Sequence, residues 1–536
     1  MKFLTYYFVI ISAFAYTQTP EDFIIEIEPI NIAGAPGVHS YSWGKTSDQK
    51  WVIIGGRIDG LHQRQPFAAF LDDDNNKSAF VIDPITEEVW STDLSVLPAS
   101  IFEQLKSTNQ NFVQRENTLY IAGGYGYSAT IGDHITYPNL TAVALDELAN
   151  AIINGASITS YFRQLTDVNL KVTGGQMAIL DDTFYLVGGQ LFDNRYNPMG
   201  PNNGPGFVQE YSNDIRTFNI DDDGTTMNLT NYQFVHDTVN LHRRDYNMSP
   251  QIFPNGELGF TAFSGVFNYS DMPYLNSVDI TSPTNYTVNN SFNQYLSQYH
   301  SAKLPIYDTT ADVMHTIFFG GISQFTLDNS GNLVEDIDVP FVKTISRVSR
   351  ESNGTMQEVD LGYIEMPALL GSGAEFIPVN QYYYENEVLD LNEIPNTKTL
   401  VGYIYGGIES SAANIFFIND GTQSFASNVI FKVYINKSLA GLHSATPLIG
   451  SNVLNLKVYP NPIKRNLNLT FFGASNQELT IQVFDTGGRL IMEEGHFVET
   501  IGQQELKLNV SKLSEGSYTV QISNGILSDQ KRFIKL

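Results

Sequence analysis

Arginine, histidine and carboxylate residues recur in this chain where a short apolar run has just ended or is about to begin. The densest case is Arg243-Arg244-Asp245-Tyr246, with His39, Gln176, His300 and Glu375 in comparable settings elsewhere. Polar stretches from Arg57 to Phe67, Tyr125 to Asn139, Gln190 to Asn213 and Val266 to Tyr274 add His62, Arg64, Tyr125, Tyr127, His134, Phe192, Arg195, Tyr196 and Tyr211. Arginine supplies planar donors and the rings supply stacking faces, a combination suited to sugars or peptides. We take His39, Arg64, Tyr125, Gln176, Arg195, Tyr196, Arg244, Asp245, Tyr246, His300 and Glu375 as candidate ligand-binding residues. Arg244, Asp245, His300 and Glu375 are also the residues that could serve acid–base chemistry. No residue is assigned a catalytic role. The structural alternative is that Arg243 and Arg244 pair with acidic neighbours and that His39 and His300 are satisfied within the framework.

Other chemistries find little support. The chain has no cysteine, which excludes disulfides, thiolate metal sites and a cysteine nucleophile. It contains neither a G-x-S-x-G elbow nor an H-E-x-x-H pair. Asp72-Asp-Asp74, Asp221-Asp-Asp-Gly224 and Asp328-Asn-Ser-Gly-Asn332 hold clustered oxygens, but none has the full spacing of a calcium loop, and they read as turns. We therefore expect no metal and no cofactor. With 30 basic against 57 acidic residues, the net charge of −27 argues against a nucleic-acid partner.

The elements that must position these residues repeat. An apolar strand ends in a glycine pair at Gly55-Gly56, Gly123-Gly124, Gly188-Gly189, Gly320-Gly321 and Gly406-Gly407, and a sixth copy reads Ser264-Gly265. Each is followed by a loop and a second apolar strand: Ser78–Asp83, Leu140–Leu145, Asn213–Phe218, Leu275–Asp279, Val342–Ser346 and Asn428–Val433. Each of the first five has a further short strand after it, and the sixth has none. The run from Phe23 to Ile30 reads as a strand with no local partner, so we expect it to complete the sixth unit. Recurrence at roughly 50–90 residues marks a propeller or related array.

The glycine pairs resemble kelch repeats, together with Leu97-Pro98 and Met366-Pro367 ahead of the next unit and His39-Ser40 or His300-Ser301 opening an inner strand. The resemblance covers roughly 23–435. It implies an all-β fold, a six-bladed kelch-like β-propeller, with the long loops gathered on one face as a binding surface for a glycan, peptide or protein. Two enzyme resemblances fail on residues. The absence of cysteine removes the tyrosine–cysteine crosslink of galactose oxidases, and Ser47-Asp48-Gln-Lys-Trp51 is at best one fragment of a sialidase Asp box. A channel-centred sugar-modifying enzyme resembling the six-bladed sialic-acid mutarotases remains the alternative to a binding protein.

The ends of the chain speak of destination. Lys2, the apolar run Phe3–Ile11 and Ala13-Phe14-Ala15 read as a signal peptide over residues 1–17, and no later stretch approaches a membrane span. Residues 454–536 carry nine basic and eight acidic residues, so the acidic excess lies upstream and a boundary falls near Ser451. Val458-Tyr-Pro-Asn-Pro462, Val483-Phe-Asp-Thr-Gly-Gly-Arg-Leu490, Leu513-Ser-Glu-Gly-Ser-Tyr518 and Arg532-Phe-Ile-Lys-Leu536 follow in order. This pattern resembles the type A sorting domain of the type IX (Por) secretion system of Bacteroidota. The resemblance implies recognition by that machinery, then secretion or surface display. We thus expect a signal peptide (1–17), a propeller (21–440), a linker (441–453) and a sorting domain (454–536) folded as a small antiparallel β-sandwich.

Overall fold

The computed structural model describes residues 19–328, 333–448, 454, 456–473, 477–498, 502–523 and 528–536. The expected signal peptide, and residues 329–332 of one expected turn, lie outside them. The structure is all-β in character, made of antiparallel sheets with two short α-helices.

Six sheets share one plan. In the first, Ser42–Lys45, Trp51–Ile54, Ser78–Asp83 and Glu88–Asp93 pair in chain order. The second (Asn111–Arg115 to Phe162–Thr166), third (Gln176–Leu180 to Met227–His236) and fourth (Asn247–Ile252 to Asn285–Asn289) repeat this meander. The fifth runs Ala302–Asp308, Val313–Ile322, Phe341–Arg350, Met356–Glu365, and is extended by Ser444–Pro447 and Thr19–Pro20, so part of the expected linker is a strand. The sixth holds Leu369–Pro378, Lys398–Ser410 and Ile430–Asn436, and its fourth strand is Ile24–Ile30, paired from Ile24 opposite Asn436 to Ile30 opposite Ile430. The pairing expected for Phe23–Ile30 is thus found.

Apolar side chains fill the space between successive sheets. Val52 and Val81 of the first meet Ile121 and Val143 of the second, Leu140 meets Phe218, and Tyr185 meets Phe260. Phe263 meets Phe318, and Ile345 meets Phe376. The series returns to its start where Ile377 and Tyr403 of the sixth sheet pack on Trp51 and Ile53 of the first. Strand alternation puts these residues on the packed faces and burial of apolar area holds them there.

The glycine pairs permit the close approach. Gly123 sits at φ +66°, and a Cβ there would lie 1.8 Å from the Val172 carbonyl oxygen of the next unit. At the sixth copy Ser264 takes φ +55°, and its carbonyl accepts from the buried Arg243 guanidinium. A second left-handed position opens each inner strand: Ser40, Asn109, Gly174, Asp245, His300 and Gly373 have φ between +49° and +73°. Their backbones form one chain of N–H···O=C bonds: Gly373 to His300 (2.7 Å), Ser40 to Gly373 (2.9 Å), Asn109 to Ser40 (3.2 Å), Gly174 to Asn109 (3.0 Å) and Asp245 to Gly174 (2.8 Å).

Two features depart from expectation. Helices Ala99–Leu105 and Leu145–Ile153 pack Leu105, Leu148 and Ile152 into the core of the first two sheets, the second helix starting with Asp146 and Glu147 at its positive end. The stretches expected as loops at Tyr125–Asn139 and Gln190–Asn213 contain hairpins, Tyr125–Ser128 with Asp133–Thr136 and Gln190–Asp193 with Val208–Tyr211. In the C-terminal region, Lys457–Tyr459, Asn466–Gly473 and Gly502–Asn509 form one sheet, and Leu490–Val498, Gln477–Phe484, Gly516–Ser523 and Ser528–Lys535 another. Leu467, Leu469 and Leu508 of the first share a core with Ile481, Val483 and Phe533 of the second.

Candidate functional site

Two cavities meet at the left-handed positions. Ser40, Asn109, Asp245 and His300 line both. The loop-side cavity, about 430 Å³, lies among the loops that follow the glycine pairs. The strand-side cavity, about 330 Å³, lies among the inner strands. The lining of the first follows the repeat. The residue before each left-handed position (His39, Thr108, Thr173, Arg244, Tyr299, Ser372) pairs with the residue after each glycine pair (Arg57, Tyr125, Gln190, Val266, Ile322, Ile408). All twelve line the loop-side cavity.

Its charged groups are held rigidly. Arg57 is buried and donates from Nε to Asp59 Oδ1 (2.8 Å) and from Nη2 to Oδ2 (2.5 Å), with its guanidinium 5.1 Å over the Phe70 ring. Burial would raise the Asp59 carboxyl, but His39 and Arg57 together hold it down to about 2. Arg244 pairs through Nη1 with Asp245 Oδ2, donates from Nε to the Tyr211 hydroxyl (3.2 Å) and lies 5.3 Å over Phe267. Burial acts to lower its pKa, yet the adjacent Asp245 carboxylate carries it upward. His62 stacks on Phe70 at 4.7 Å and meets Tyr196 edge-on at 4.8 Å; burial pushes it down to about 4, so it is a neutral imidazole at physiological pH. Tyr125 donates its hydroxyl to the Asn194 carbonyl (2.9 Å) and packs edge-on against Phe192. The result is a wall of rings with fixed guanidinium groups behind them.

The strand-side cavity holds Glu375, Lys303, Gln176 and Glu387. Burial raises the Glu375 carboxyl above its ordinary range despite Lys303 and His300, and burial lowers His300 despite Asp245 and Glu375. A carboxyl shifted toward its protonated form thus stands beside an imidazole shifted toward its neutral one.

Of the sequence-derived candidates, His39, Tyr125, Tyr196 and Arg244 come together in the loop-side cavity, Gln176 and Glu375 in the strand-side one, and Asp245 and His300 in both. Arg64 and Arg195 line neither cavity: the Arg64 guanidinium lies 4.8 Å over Phe417, which does line the loop-side one, and Arg195 is exposed. Tyr246 lines neither: it is buried between the third and fourth sheets and donates its hydroxyl to the Val187 carbonyl at 2.7 Å. Arg243 has no acidic partner and instead donates to the carbonyls of Asn240 (2.6 Å), Ser264 (2.8 Å) and Asn276 (2.9 Å). The acidic clusters expected as turns are engaged locally: Asp72 and Asp73 pair with Lys77, Asp74 lies 3.5 Å from Arg57, and Asp223 accepts from the backbone of Thr225 and Thr226. Sequence reasoning missed Phe70, Tyr299, Phe267 and Phe416. The signal for Tyr299, and for Arg57 beyond its place in a loop, was the repeat itself, since both occupy fixed offsets from a left-handed or glycine position.

No curated protein matches the chain. Among solved structures, YjhT is similar with a TM-score of 0.40 and 10% identity over 73% of this chain and 98% of that one. PorZ, an essential bacterial surface component of the type-IX secretion system of Porphyromonas gingivalis, is similar with a TM-score of 0.13 and 9% identity over 95% of this chain and 100% of that one. Both scores are too low to carry fold or function across. Among the described residues no helix is long and apolar enough to cross a membrane. Residues 457–536 match the secretion system C-terminal sorting domain, and this tail marks the chain for export by the type IX system to the cell surface or beyond it.

Proposed function

We propose that residues 21–440 form a six-bladed kelch-like β-propeller, joined through 441–453 to a sorting domain at 454–536. The exported protein is then a binding protein whose loop face takes a glycan, peptide or protein into the loop-side cavity. One observation carries this reading: twelve residues at two repeated offsets, two from each of six repeats, line a single cavity of about 430 Å³. That volume lies within the range of small-ligand sites, and its aromatic walls with a few fixed polar groups match their usual makeup. Such a ligand raises the unfolding temperature by mass action. Thermal unfolding across a panel of glycans and peptides should therefore give a stabilising ligand whose effect is lost in Tyr196→Ala. If every stabilising ligand acts equally on that variant, the cavity is not the site.

A sugar-modifying activity is the second reading, and it is favoured by two groups in the strand-side cavity, a Glu375 carboxyl that burial raises and a His300 imidazole that burial lowers. NMR exchange spectra of candidate sugars would show anomer interconversion above the spontaneous rate, abolished by Glu375→Gln. Binding without such exchange removes this reading.

A further inference from the structure

Residues 21–440 contain ten arginines, in a chain with a net charge of −27. Arg57, Arg163, Arg216, Arg244, Arg347 and Arg350 pair with carboxylates. Arg115 and Arg243 donate to a hydroxyl and to carbonyls. Among the described residues, Arg64 and Arg195 alone of the ten form neither an ion pair nor a side-chain hydrogen bond. Four of the ten thus have no carboxylate partner among the described residues, but only Arg64 and Arg195 also lack a neutral acceptor, and both stand on the loop side.

Arg64 is also preorganised. Its guanidinium lies over Phe417 (4.8 Å) and Phe416 (5.5 Å), two residues that line the cavity, and its Nε is buried with no acceptor. A buried N–H left without an acceptor is costly, so the position rewards an acceptor brought by a ligand. Its charge and that of Arg244 both act on Tyr196, and Arg195 follows Asn194 directly before that tyrosine. The positive charge is set in an apolar rim. Ile337 and Phe417 line the cavity and are still 68% and 62% exposed, and Ile418, next in the chain to Phe417, is 65% exposed. Sugars stack on flat rings but gain little from isoleucine, whereas exposed isoleucine and phenylalanine around a cavity are typical of polypeptide recognition.

We propose that the ligand is a polypeptide segment with one or two carboxylates set between apolar residues, its carboxylate received by Arg64 beside Phe416 and Phe417 and its apolar side chains by Ile337 and Phe417. This rests on the loop-side cavity being the ligand site. A long polyanion is disfavoured, because the net charge of −27 repels it beyond the first contact. The guanidinium fork meets a carboxylate in two parallel hydrogen bonds, which a lysine cannot reproduce.

The test is selection of a phage library of random twelve-residue peptides on the full chain, beside the same selection on Arg64→Met and on Phe417→Ser. Enriched peptides should carry Asp or Glu flanked by apolar residues. The synthesised winners should bind about tenfold or more weakly to Arg64→Met, weaken with added salt, and recover only in part on Arg64→Lys. Unchanged unfolding temperatures would certify that the variants are folded. Enrichment without acidic residues, no enrichment, or equal binding to Arg64→Met overturns the proposal. If a glycan or a non-acidic peptide then stabilises the chain in a Tyr196-dependent way, the cavity reading survives without this one; if neither does, both fall.

Discussion

Glu358 has its side chain buried between the fifth sheet and the segment carrying Tyr295 and Leu296, whose backbone N–H groups donate to its Oε2 at 2.7 and 3.2 Å. Burial raises its pKa from 4.5 to about 8, against the pull of those two donors. The folded chain therefore holds a proton there that the unfolded chain has released. Stability should fall as pH rises from about 4.5 to about 8, by on the order of a few kcal/mol, and level off above. Urea unfolding at pH 5, 6.5 and 8 should show this decline in the native chain and a much flatter profile in Glu358→Gln; parallel profiles would show that Glu358 is not its source. The same scale explains which candidates were legible. Arg244 and Asp245 announced themselves by type, and both line cavities. Tyr246 looked equally suited, but it follows the left-handed Asp245 just ahead of the strand Asn247–Ile252, and its side chain went into the core. Arg64 was visible as a type, while its lack of an acidic partner is a property of the folded surroundings and could not be read from the chain.

At the level of the element, the glycine pairs were the most legible feature, because a left-handed backbone pressed against a neighbouring carbonyl leaves no room for a side chain. Gly123 and Gly132 make a matched comparison. A Cβ at Gly123 would lie 1.8 Å from Val172 O, whereas one at Gly132 would meet nothing within 4 Å, and their φ values are +66° and +84°. Gly132→Ala should cost about 1 kcal/mol from backbone strain alone, and Gly123→Ala several times more or should prevent folding. Denaturant midpoints of the two variants measure the difference, and equal losses would mean that the approach of the two units is not tight. The hairpins at Tyr125–Thr136 and Gln190–Tyr211 were read as loops because the alternation in both is short and, in the second, Gly, Asn and Pro are frequent. The helix at Leu145–Ile153 was hidden by the strand that runs directly into it: Asn139–Ala144 ends where it begins.

For the molecule as a whole, the six-sheet plan and the pairing of Ile24–Ile30 were legible because glycine pairs recur and one strand lacked a local partner. What the loops hold was not, since the repeat dictates where a side chain stands and not what it meets. Removing residues through Ile30 should uncover the Ile430–Asn436 edge and the apolar faces of Phe431, Val433 and Ile435, giving a chain that unfolds at lower temperature and self-associates. Size-exclusion chromatography would show it; a monomer of unchanged stability would mean that the strand is dispensable. That strand also imposes an order in time. Glu26 and Asn436, hydrogen-bonded at 2.7 Å, are 410 residues apart. The strand Ile24–Ile30, made near the start, must wait for the last of these sheets before it has anything to pair with. A protein so arranged cannot finish folding while part of it is still being delivered, which keeps it pliable until the whole length has reached one side of a barrier.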